Sequence, residues 1–442
     1  MAATGLAGLA RLTQCPETMN HARHYYSLAL QLTRAALQDP VAAIQDSTML
    51  AILILGTYEF ISGRSHHTMH AWKKHVDGAS ALAKIRGKDQ FRTTAGSGMF
   101  TMLCHSVLIS CMHSELPMPK VMTDMREEQA RMCDLDGPIW RITDPIYRAL
   151  QVRHDIRMGK ICGLDAIIDA LTQVEQEFVA TVVNLPASWG YHTVQLSQAH
   201  SELLSGRCHI YPGQQQATAW NAMRTMRILV HEMMLEHLYL TLPSSYSFDA
   251  AVEQRRLQIA TTIDMLKRLC AAVVASVPQH FGIVSSKNHT PVPQAKPAHP
   301  PCIQKQPYRI ISTPVTTQKS PPQFKDTSRL SSSGASTGSD ATGTADSDDD
   351  GSETKAERFM ALAASSDTII LPLYTVGTSS FCTSEMRDYI IDTLNTIYEE
   401  SGLEQARAVA DLLRSNSKST VWDNFPLETL PNIPEGMLPI TV

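Results

Sequence analysis

The chain has 442 residues, of which 43% are hydrophobic, and its 38 Lys and Arg against 43 Asp and Glu give a formal net charge of -5. This length and composition allow a large core and predict two or three compact pieces. The charge balance provides no overall positive field, which argues against a general affinity for nucleic acid or for an anionic membrane.

The nine cysteines are scattered singly, and no two are separated by just two residues. This spacing excludes the usual zinc ribbons and fingers and favours reduced, mostly buried thiols in an intracellular compartment. The start, MAATGLAGLARLTQ, lacks the basic region and long apolar core of a secretory signal. The most hydrophobic run, Met49 to Leu55, is much shorter than the roughly 20 residues of a membrane span and predicts a buried helix.

Helical periodicity begins near the N-terminus. One stripe of small and apolar residues predicts a helix that Pro40 ends. The members of this stripe are Ala22, Tyr25, Ala29, Leu32 and Ala36. Residues 41–61 are more uniformly apolar and predict a central helix.

The segment HHTMHAWKKHVDGASALAKIRG, residues 66–87, predicts one further helix with a single apolar face. Arg86 and Gly87 are helix-stop signals. The predicted face consists of Trp72, Val76, Ala79, then Leu82 or Ala83, and Ile85.

Four histidines in this segment raise the question of a metal site. His66 and His70 are four residues apart and could meet on one helix face, but zinc needs further ligands. His75 lies about 140° further round the helix from His70. A solvated helix start is therefore the preferred interpretation, and no metal site is predicted. Lys73 and Lys74 are interpreted in the same way, as a solvated face.

The remaining body continues the helical pattern. Helices are predicted around residues 99–113, 138–160, 165–184, 217–242 and 251–274. No run of alternating residues is long enough to predict a sheet. The predicted fold is all-α, a multi-helix bundle of packed helical hairpins interrupted by a long disordered linker.

The linker is predicted at residues 285–356, between a main helical body at residues 1–284 and a C-terminal part at residues 357–442. Its proline-rich and Ser/Thr/Gly/Asp-rich composition cannot bury enough apolar surface to order itself. It is either a plain spacer or a regulated segment with candidate phosphorylation sites. Those sites are Thr290, Thr313, Ser320 and Ser347.

Residues 386–400 and 403–414 predict a helical hairpin with Gly402 as the cap between its helices. Each helix has one apolar face, which is expected to dock on the main body. The tail after the hairpin interleaves Trp422 and Phe425 with acidic residues. It suits either a short activation segment or a strap on the bundle, and its prolines favour the strap.

Two segments resemble enzyme motifs but lack the position or spacing that the chemistry of those motifs requires. The acidic run Asp349 to Glu353 resembles a magnesium-binding pattern but lies in the predicted linker. His231 and Glu232 begin a metalloprotease-like pattern, but His237 comes two positions too late for the second ligand. The common nucleophile and phosphate-loop patterns are missing from the sequence. No catalytic residue and no cofactor are therefore predicted.

The order of these elements closely resembles the middle regulatory region of fungal zinc-cluster transcription factors. The resemblance rests on YYSLALQLTRAALQDP, DSTMLAILILGTYEFISG, AWKKHVDGASALAKIRG and DQFRTTAGSGMF, in that order. A family pattern of Trp-x-x-His-x-x-Gly-Ala and an arginine-glycine turn is matched by Trp72, His75, Gly78, Ala79, Arg86 and Gly87. A second landmark, WNAMRTMRI, is matched by Trp220, Asn221, Arg224, Arg227 and Ile228. YEESGLEQARAVADLL is similar to the closing helical pair, so the resemblance spans roughly residues 20–415.

The resemblance implies a packing role for the helix that carries Gly78, whose presence would be explained by a close helix crossing. Trp72 and Val76 would then belong to the core. Arg224 and Arg227 would bind either an acidic effector or, preferably, neighbouring helices through salt bridges.

The chain departs from the family because it has no six-cysteine DNA-binding module. Either that module lies upstream of Met1, or the chain is a regulator without its own DNA reader. The expected function is a nuclear transcriptional regulator that acts through protein partners or an effector pocket, with no direct sequence-specific DNA binding and no membrane. The alternatives are an all-α enzyme and a plain interaction scaffold.

Overall fold

The computed structural model describes residues 1–13, 15–62, 66–133, 137–195, 204–240, 250–284 and 368–415. The predicted linker at residues 285–356, with its four candidate phosphorylation sites, and the tail after Ser415 lie outside the described residues. The side chains of His66 and His70 also lie outside them.

Helices make up nearly all of the described chain, which confirms the all-α prediction. The first half contains α1 (Ala2–Thr13), α2 (Pro16–Gln38), α3 (Pro40–Ala43), α4 (Asp46–Ser62), α5 (His66–Arg86), a 3-10 turn (Gly87–Arg92), α6 (Thr94–Ser114), α7 (Lys120–Cys133), α8 (Pro138–Arg157) and α9 (Leu164–Val183). The second half contains α10 (Gln214–Leu240), α11 (Ala250–His280), α12 (Thr368–Gly377), α13 (Ser384–Ser401) and α14 (Glu404–Ser415).

A two-stranded ribbon was missed by the sequence prediction. β1 (His192–Gln195) and β2 (Arg207–Ile210) pair antiparallel, with Val194 opposite Cys208. Each strand has only four residues, which is too short for an alternating pattern to be recognised. The ribbon packs against α11 and brings aromatic residues next to α10.

Two groups of buried side chains hold the helices together. The larger core runs from α4 to α14 and includes Phe100, Phe178, Leu235 and Leu394. A smaller cluster joins α1 and α2 to Tyr58 of α4, largely through alanines. Small side chains allow the close approach of helices, so the N-terminal pair lies tightly against α4.

The predicted stripe of α2 is wrong at two positions. Tyr25 and Leu32 are 44% and 63% exposed, whereas Met19 and Ala22 are buried and Tyr26 stacks on Tyr58. The helix therefore presents a narrower line of mostly small residues to its neighbours than the sequence suggested.

The central helix begins later than predicted. α2 ends at Gln38, and Asp39 caps a separate single turn, α3, by accepting hydrogen bonds from the backbone N–H groups of Val41 and Ala42 at 2.8 and 3.4 Å. The main helix, α4, starts only at Asp46. An aspartate before proline is a strong N-cap, which explains the break.

α5 ends at Arg86, as its stop signals predict, and Gly87 adopts φ +60°. The predicted apolar face is wrong at Ile85, which is 71% exposed. Arg86 occupies the buried position instead and forms an ion pair with Asp46 at the start of α4. The guanidinium of Arg86 thus fills the buried position at the end of α5 that the sequence assigned to the aliphatic Ile85.

The close helix crossing predicted at Gly78 is wrong. Gly78 is exposed, and a Cβ added there would meet nothing within 4 Å. On the facing helix, a Cβ added at Gly56 would lie 3.5 Å from His75 Cβ and 3.8 Å from Trp72 Cδ1. A Cβ at Gly56 would thus make ordinary van der Waals contacts with α5, whereas Gly78 points away from any neighbouring helix.

The C-terminal helices share the main core. Ile390, Leu394 and Ile397 of α13 are fully buried, as are Ala406 and Ala410 of α14. Gly402 connects the two helices with φ +68° and donates its N–H to the carbonyl of Tyr398 at 2.7 Å.

One carboxylate joins this segment to α10. Glu232 accepts hydrogen bonds from the hydroxyls of Ser379 and Ser380 at 2.6 and 2.7 Å, and from the Ser380 N–H at 2.9 Å.

The described residues include one helical stretch, Thr94–Met112, that is long and apolar enough to cross a membrane. Phe100 and Leu103 in this stretch are fully buried, as in the core helix of a globular protein.

Candidate functional site: a buried polar cluster on α10 and a cleft between the chain ends

α10 carries an unusual number of buried polar side chains. Asn221, Arg224, Arg227 and His231 are each at most 6% exposed, although the helix lies in the main core. They recur every three or four residues and therefore share one side of the helix. This side faces α9, α11 and the ribbon, so each polar group must find a partner inside the protein.

Arg227 meets a carboxylate of α9. Its Nη2 donates to Glu175 Oε1 at 2.5 Å and its Nε to Oε2 at 3.1 Å. His231 Nε2 lies 3.3 Å from Glu175 Oε2. Burial raises the pKa of Glu175, but His231 and Arg227 outweigh that effect and lower it to about 2. This buried ion pair fixes α9 against α10.

Arg224 has an aromatic environment. Its guanidinium carbon lies 4.9 Å from the ring centre of Tyr191 and 5.2 Å from that of Trp220. Nη1 also donates to the hydroxyl of Tyr211 and, at 3.3 Å, to Asn221 Oδ1. Cation–π contacts of desolvated arginine can each contribute about 2 kcal/mol. The cluster thus anchors the ribbon to α10.

Asn221 links α10 to α11. Its amide donates to Ser276 Oγ at 2.8 Å and lies 3.2 Å from His280 Nε2, while His280 Nδ1 lies 2.8 Å from Gln214 Nε2. Burial lowers the pKa of His280 to about 4. The neutral imidazole is therefore a structural hydrogen-bonding group at physiological pH.

A second buried histidine lies on the ribbon. His209 Nδ1 is 3.2 Å from the Tyr211 hydroxyl. Burial, together with the charges of Arg224 and Arg207, lowers the pKa of His209 to about 2. Burial also raises the pKa of Tyr211 to about 12. Neither group titrates near neutral pH, so His209 and Tyr211 do not form an acid–base pair poised for catalysis.

The α5 pattern residues lie apart from this cluster. Trp72 is half-buried against the core, and Ala79 is buried. His75 Nε2 lies 3.3 Å from the hydroxyl of Tyr26, which donates to Glu59. Burial lowers the pKa of His75. The side-chain amide of Gln90 stabilises the Arg86–Gly87 turn, since it donates to the carbonyls of Ala83 and Gly87 at 2.9 and 2.6 Å.

A cleft of about 630 Å³ lies where the two ends of the described chain meet. One wall comes from the turn between α1 and α2, with Arg11 and Arg23, and the other from the turn between α13 and α14, with Glu399 and Glu404. We call this the end cleft. Its floor includes the buried Ala10 and Met19. The end cleft combines opposite charges with an apolar base, which suits a small polar ligand.

The predicted site residues thus fall into two separate groups, on α5 and on α10. The sequence did not indicate two of the carboxylates. Glu175 was not predicted at all, and Glu232 was considered only as part of a metalloprotease-like pattern and not as the acceptor for Ser379 and Ser380. Their partners are 52 and 147 or more residues away, so no local pattern could reveal them. Among the described residues no group of three or more metal-ligating side chains comes together.

Comparison with known proteins gives one match. Residues 1–119 match the family model described as the fungal specific transcription factor domain. The matched residues span α1 to α6, including the pattern around Trp72, and confirm the family resemblance there. The landmark around Trp220 and the closing helical pair lie outside the matched residues. No curated protein and no solved structure matched the chain.

Proposed function

We propose that this polypeptide is a nuclear regulator of transcription that acts through protein partners and not through DNA contacts of its own. The observation that carries the proposal is the match of residues 1–119 to the fungal specific transcription factor domain. The partners would be proteins of the transcription machinery or a separate DNA-binding protein. The role is non-enzymatic and needs no cofactor.

The basic residues near α5 support the absence of a DNA reader. Lys73, Lys74, Lys84 and Lys88 are interspersed with the acidic residues Asp77 and Asp89 along this segment. Arg86 is already paired with Asp46, and Arg92 with Asp89. Specific readout needs an element in the major groove with side chains at base edges. Scattered lysines would give only weak, salt-sensitive contacts to phosphates.

The end cleft is the place where we expect an effector to act. A ligand there would contact both the N-terminal helices of the family match and the C-terminal hairpin. Binding would therefore tighten the association of the two ends of the described chain. Such a ligand would raise thermal stability with the logarithm of its concentration once that concentration exceeds the dissociation constant.

A titration of fluorescent DNA duplexes at physiological salt tests the proposal, combined with imaging of a tagged chain in fungal cells. We expect nuclear accumulation and equally weak binding to a randomised duplex pool and to genomic promoter fragments. A reproducible preference for one sequence that survives competitor DNA would show that the polypeptide has its own DNA reader. Exclusion of the tagged chain from the nucleus would contradict the regulatory role.

A further inference from the structure

α2 turns its largest apolar side chains towards solvent. Tyr25, Leu28 and Leu32 recur at steps of three and four and therefore lie on one side of the helix. Their exposed fractions are 44%, 43% and 63%. We call this row the outer side of α2. Single exposed apolar residues are ordinary, but a row on one face marks a contact surface.

The packing of α2 against α1 and α4 does not involve Tyr25, Leu28 or Leu32. Met19 and Ala22 are buried against α1 and α4, and Tyr26 stacks on Tyr58. α1 has 12 residues and α2 has 23, so α1 is about 16 Å too short to run beside the whole of α2. Val41 and Ile44, just after α2, are exposed as well. Exposed apolar side chains are therefore also present in the turn that follows the helix.

Two histidines, His21 and His24, border the outer side of α2. After Glu17, α2 contains no aspartate or glutamate, and its two arginines, Arg23 and Arg34, lie roughly 150–170° round the helix from the outer side. The outer side therefore has no acidic group after Glu17 that would repel an apolar segment with negative charge.

The chain itself contains such a segment. Residues 419–442 include no lysine or arginine and three acidic residues, which are Asp423, Glu428 and Glu435. Their apolar side chains include Trp422, Phe425, Leu427 and Leu430. Prolines 426, 431 and 434 restrict the backbone, so that less conformational entropy is lost when the segment is ordered.

The segment is long enough to reach α2. Residues 416–442 span roughly 90 Å when extended, whereas the 23 residues of α2 span roughly 35 Å. The last described helices already lie beside the N-terminal pair, since a Cβ added at Gly402 would be 2.9 Å from Arg11 Cδ. The connection therefore imposes no geometric barrier.

We propose that residues 421–442 bind the outer side of α2. Trp422, Phe425 and the leucines cover Tyr25, Leu28 and Leu32, and the acidic residues lie beside His21 and His24. This contact holds the C-terminal tail on the part of the chain that matches the transcription factor domain. It is independent of the function proposed above.

Hydrogen exchange of the full chain, followed by mass spectrometry, tests this contact. Amides of residues 422–430 should exchange at least tenfold more slowly than in a free synthetic peptide of residues 416–442. The double variant Leu28→Gln, Leu32→Gln should abolish that protection, because glutamine keeps helix propensity while removing the apolar surface. Val183→Gln, at an exposed position of α9, is the matched control and should leave the protection unchanged.

Unchanged exchange within α4 and α10 would show that the double variant is folded. Exchange of the tail at the rate of the free peptide, or protection that survives the double substitution, would overturn the proposal. Sedimentation of the unmodified chain should give a monomer. A dimer that dissociates on the double substitution, with an unprotected tail, would assign the outer side to a second copy and would equally overturn the proposal.

Discussion

Glu175 and Arg227 form a buried, two-point ion pair between α9 and α10, with N–O distances of 2.5 and 3.1 Å. The arginine side chain is 1% exposed and the glutamate 13%. Removing one member of such a pair leaves an uncompensated charge in the core. The pair therefore holds two central helices in one relative position, and its loss should affect the whole fold.

The substitution Glu175→Gln should lower the free energy of unfolding by about 3–5 kcal/mol at neutral pH, because Arg227 loses its anionic partner inside the core. Urea unfolding monitored by circular dichroism measures the difference. The matched control is Asp264→Asn, which breaks a partly exposed ion pair with Arg268 on α11. That change should alter stability by less than about 1 kcal/mol, and equal losses for the two variants would contradict the account.

The same pair predicts an acid dependence. The pKa of Glu175 is about 2 in the folded chain, against an ordinary value of 4.5. Its stabilising contribution is therefore complete above pH 4.5 and is lost as pH falls from 4.5 towards 2. In Glu175→Gln, the fall in unfolding free energy across this window should be smaller. A pH profile identical to that of the unmodified chain would show that the carboxylate is not paired when folded.

The buried His280 predicts a second range of pH in which stability changes, at less acidic pH than that of Glu175. Its pKa is about 4 in the folded chain and 6.5 ordinarily, so below pH 6.5 the unfolded chain takes up a proton that the folded chain does not. Stability should fall with pH between 6.5 and 4, by up to about 1.4 kcal/mol per pH unit from this residue. His280→Gln should reduce that slope, whereas His21→Gln at an exposed position should not. Parallel slopes for all three chains would argue against a buried, neutral His280.

The two glycines Gly78 and Gly377 should respond oppositely to alanine. Gly78 lies inside α5 with open space around it, so Gly78→Ala should stabilise the chain by about 0.5–1 kcal/mol. At Gly377 the added Cβ would lie 2.6 Å from Leu413 Cδ1, and Leu413 is buried. Gly377→Ala should therefore destabilise by about 1–3 kcal/mol through overpacking. Thermal unfolding of both variants measures these changes in stability. A lower melting temperature for Gly78→Ala would indicate that a neighbouring helix does cross closely at that residue.

Glu232→Ala should loosen the connection between α12 and α13. Three donors of Ser379 and Ser380 lose their acceptor, which should cost about 1–3 kcal/mol. Hydrogen exchange at residues 378–383 should accelerate more than exchange elsewhere in the chain. Glu236→Ala, one turn further along α10 at an exposed position, provides the control. Equal exchange in the two variants would mean that Glu232 does not anchor the segment.

Local patterns were sufficient for most helices. The arginine-glycine stop of α5 and the glycine cap at Gly402 lie where the sequence predicts them. The apolar faces were less predictable, because a side chain such as Arg86 can fill a buried position when a carboxylate is near. Ile85 was then assigned to the core only because it is apolar.

The buried polar side of α10 was only half predictable. The family landmark pointed to Trp220, Asn221, Arg224 and Arg227, and a salt bridge to a neighbouring helix was one of the two interpretations of the arginines. Arg227 does form such a bridge, with Glu175, whereas Arg224 lies among aromatic rings. Tyr191 and Tyr211 flank a ribbon of four-residue strands, so these two partners of Arg224 could not be foreseen.

The central claim, that this polypeptide regulates transcription through other proteins, is tested most directly by tethering it to a promoter. The full chain is fused to an unrelated DNA-binding domain in a fungal reporter strain, and reporter transcript is compared with that from the DNA-binding domain alone. We expect the fusion to change transcript several-fold, up or down, while an unrelated helical protein of similar size has no effect. An unchanged transcript level, with the fusion present in the nucleus in the same amount, would contradict the account.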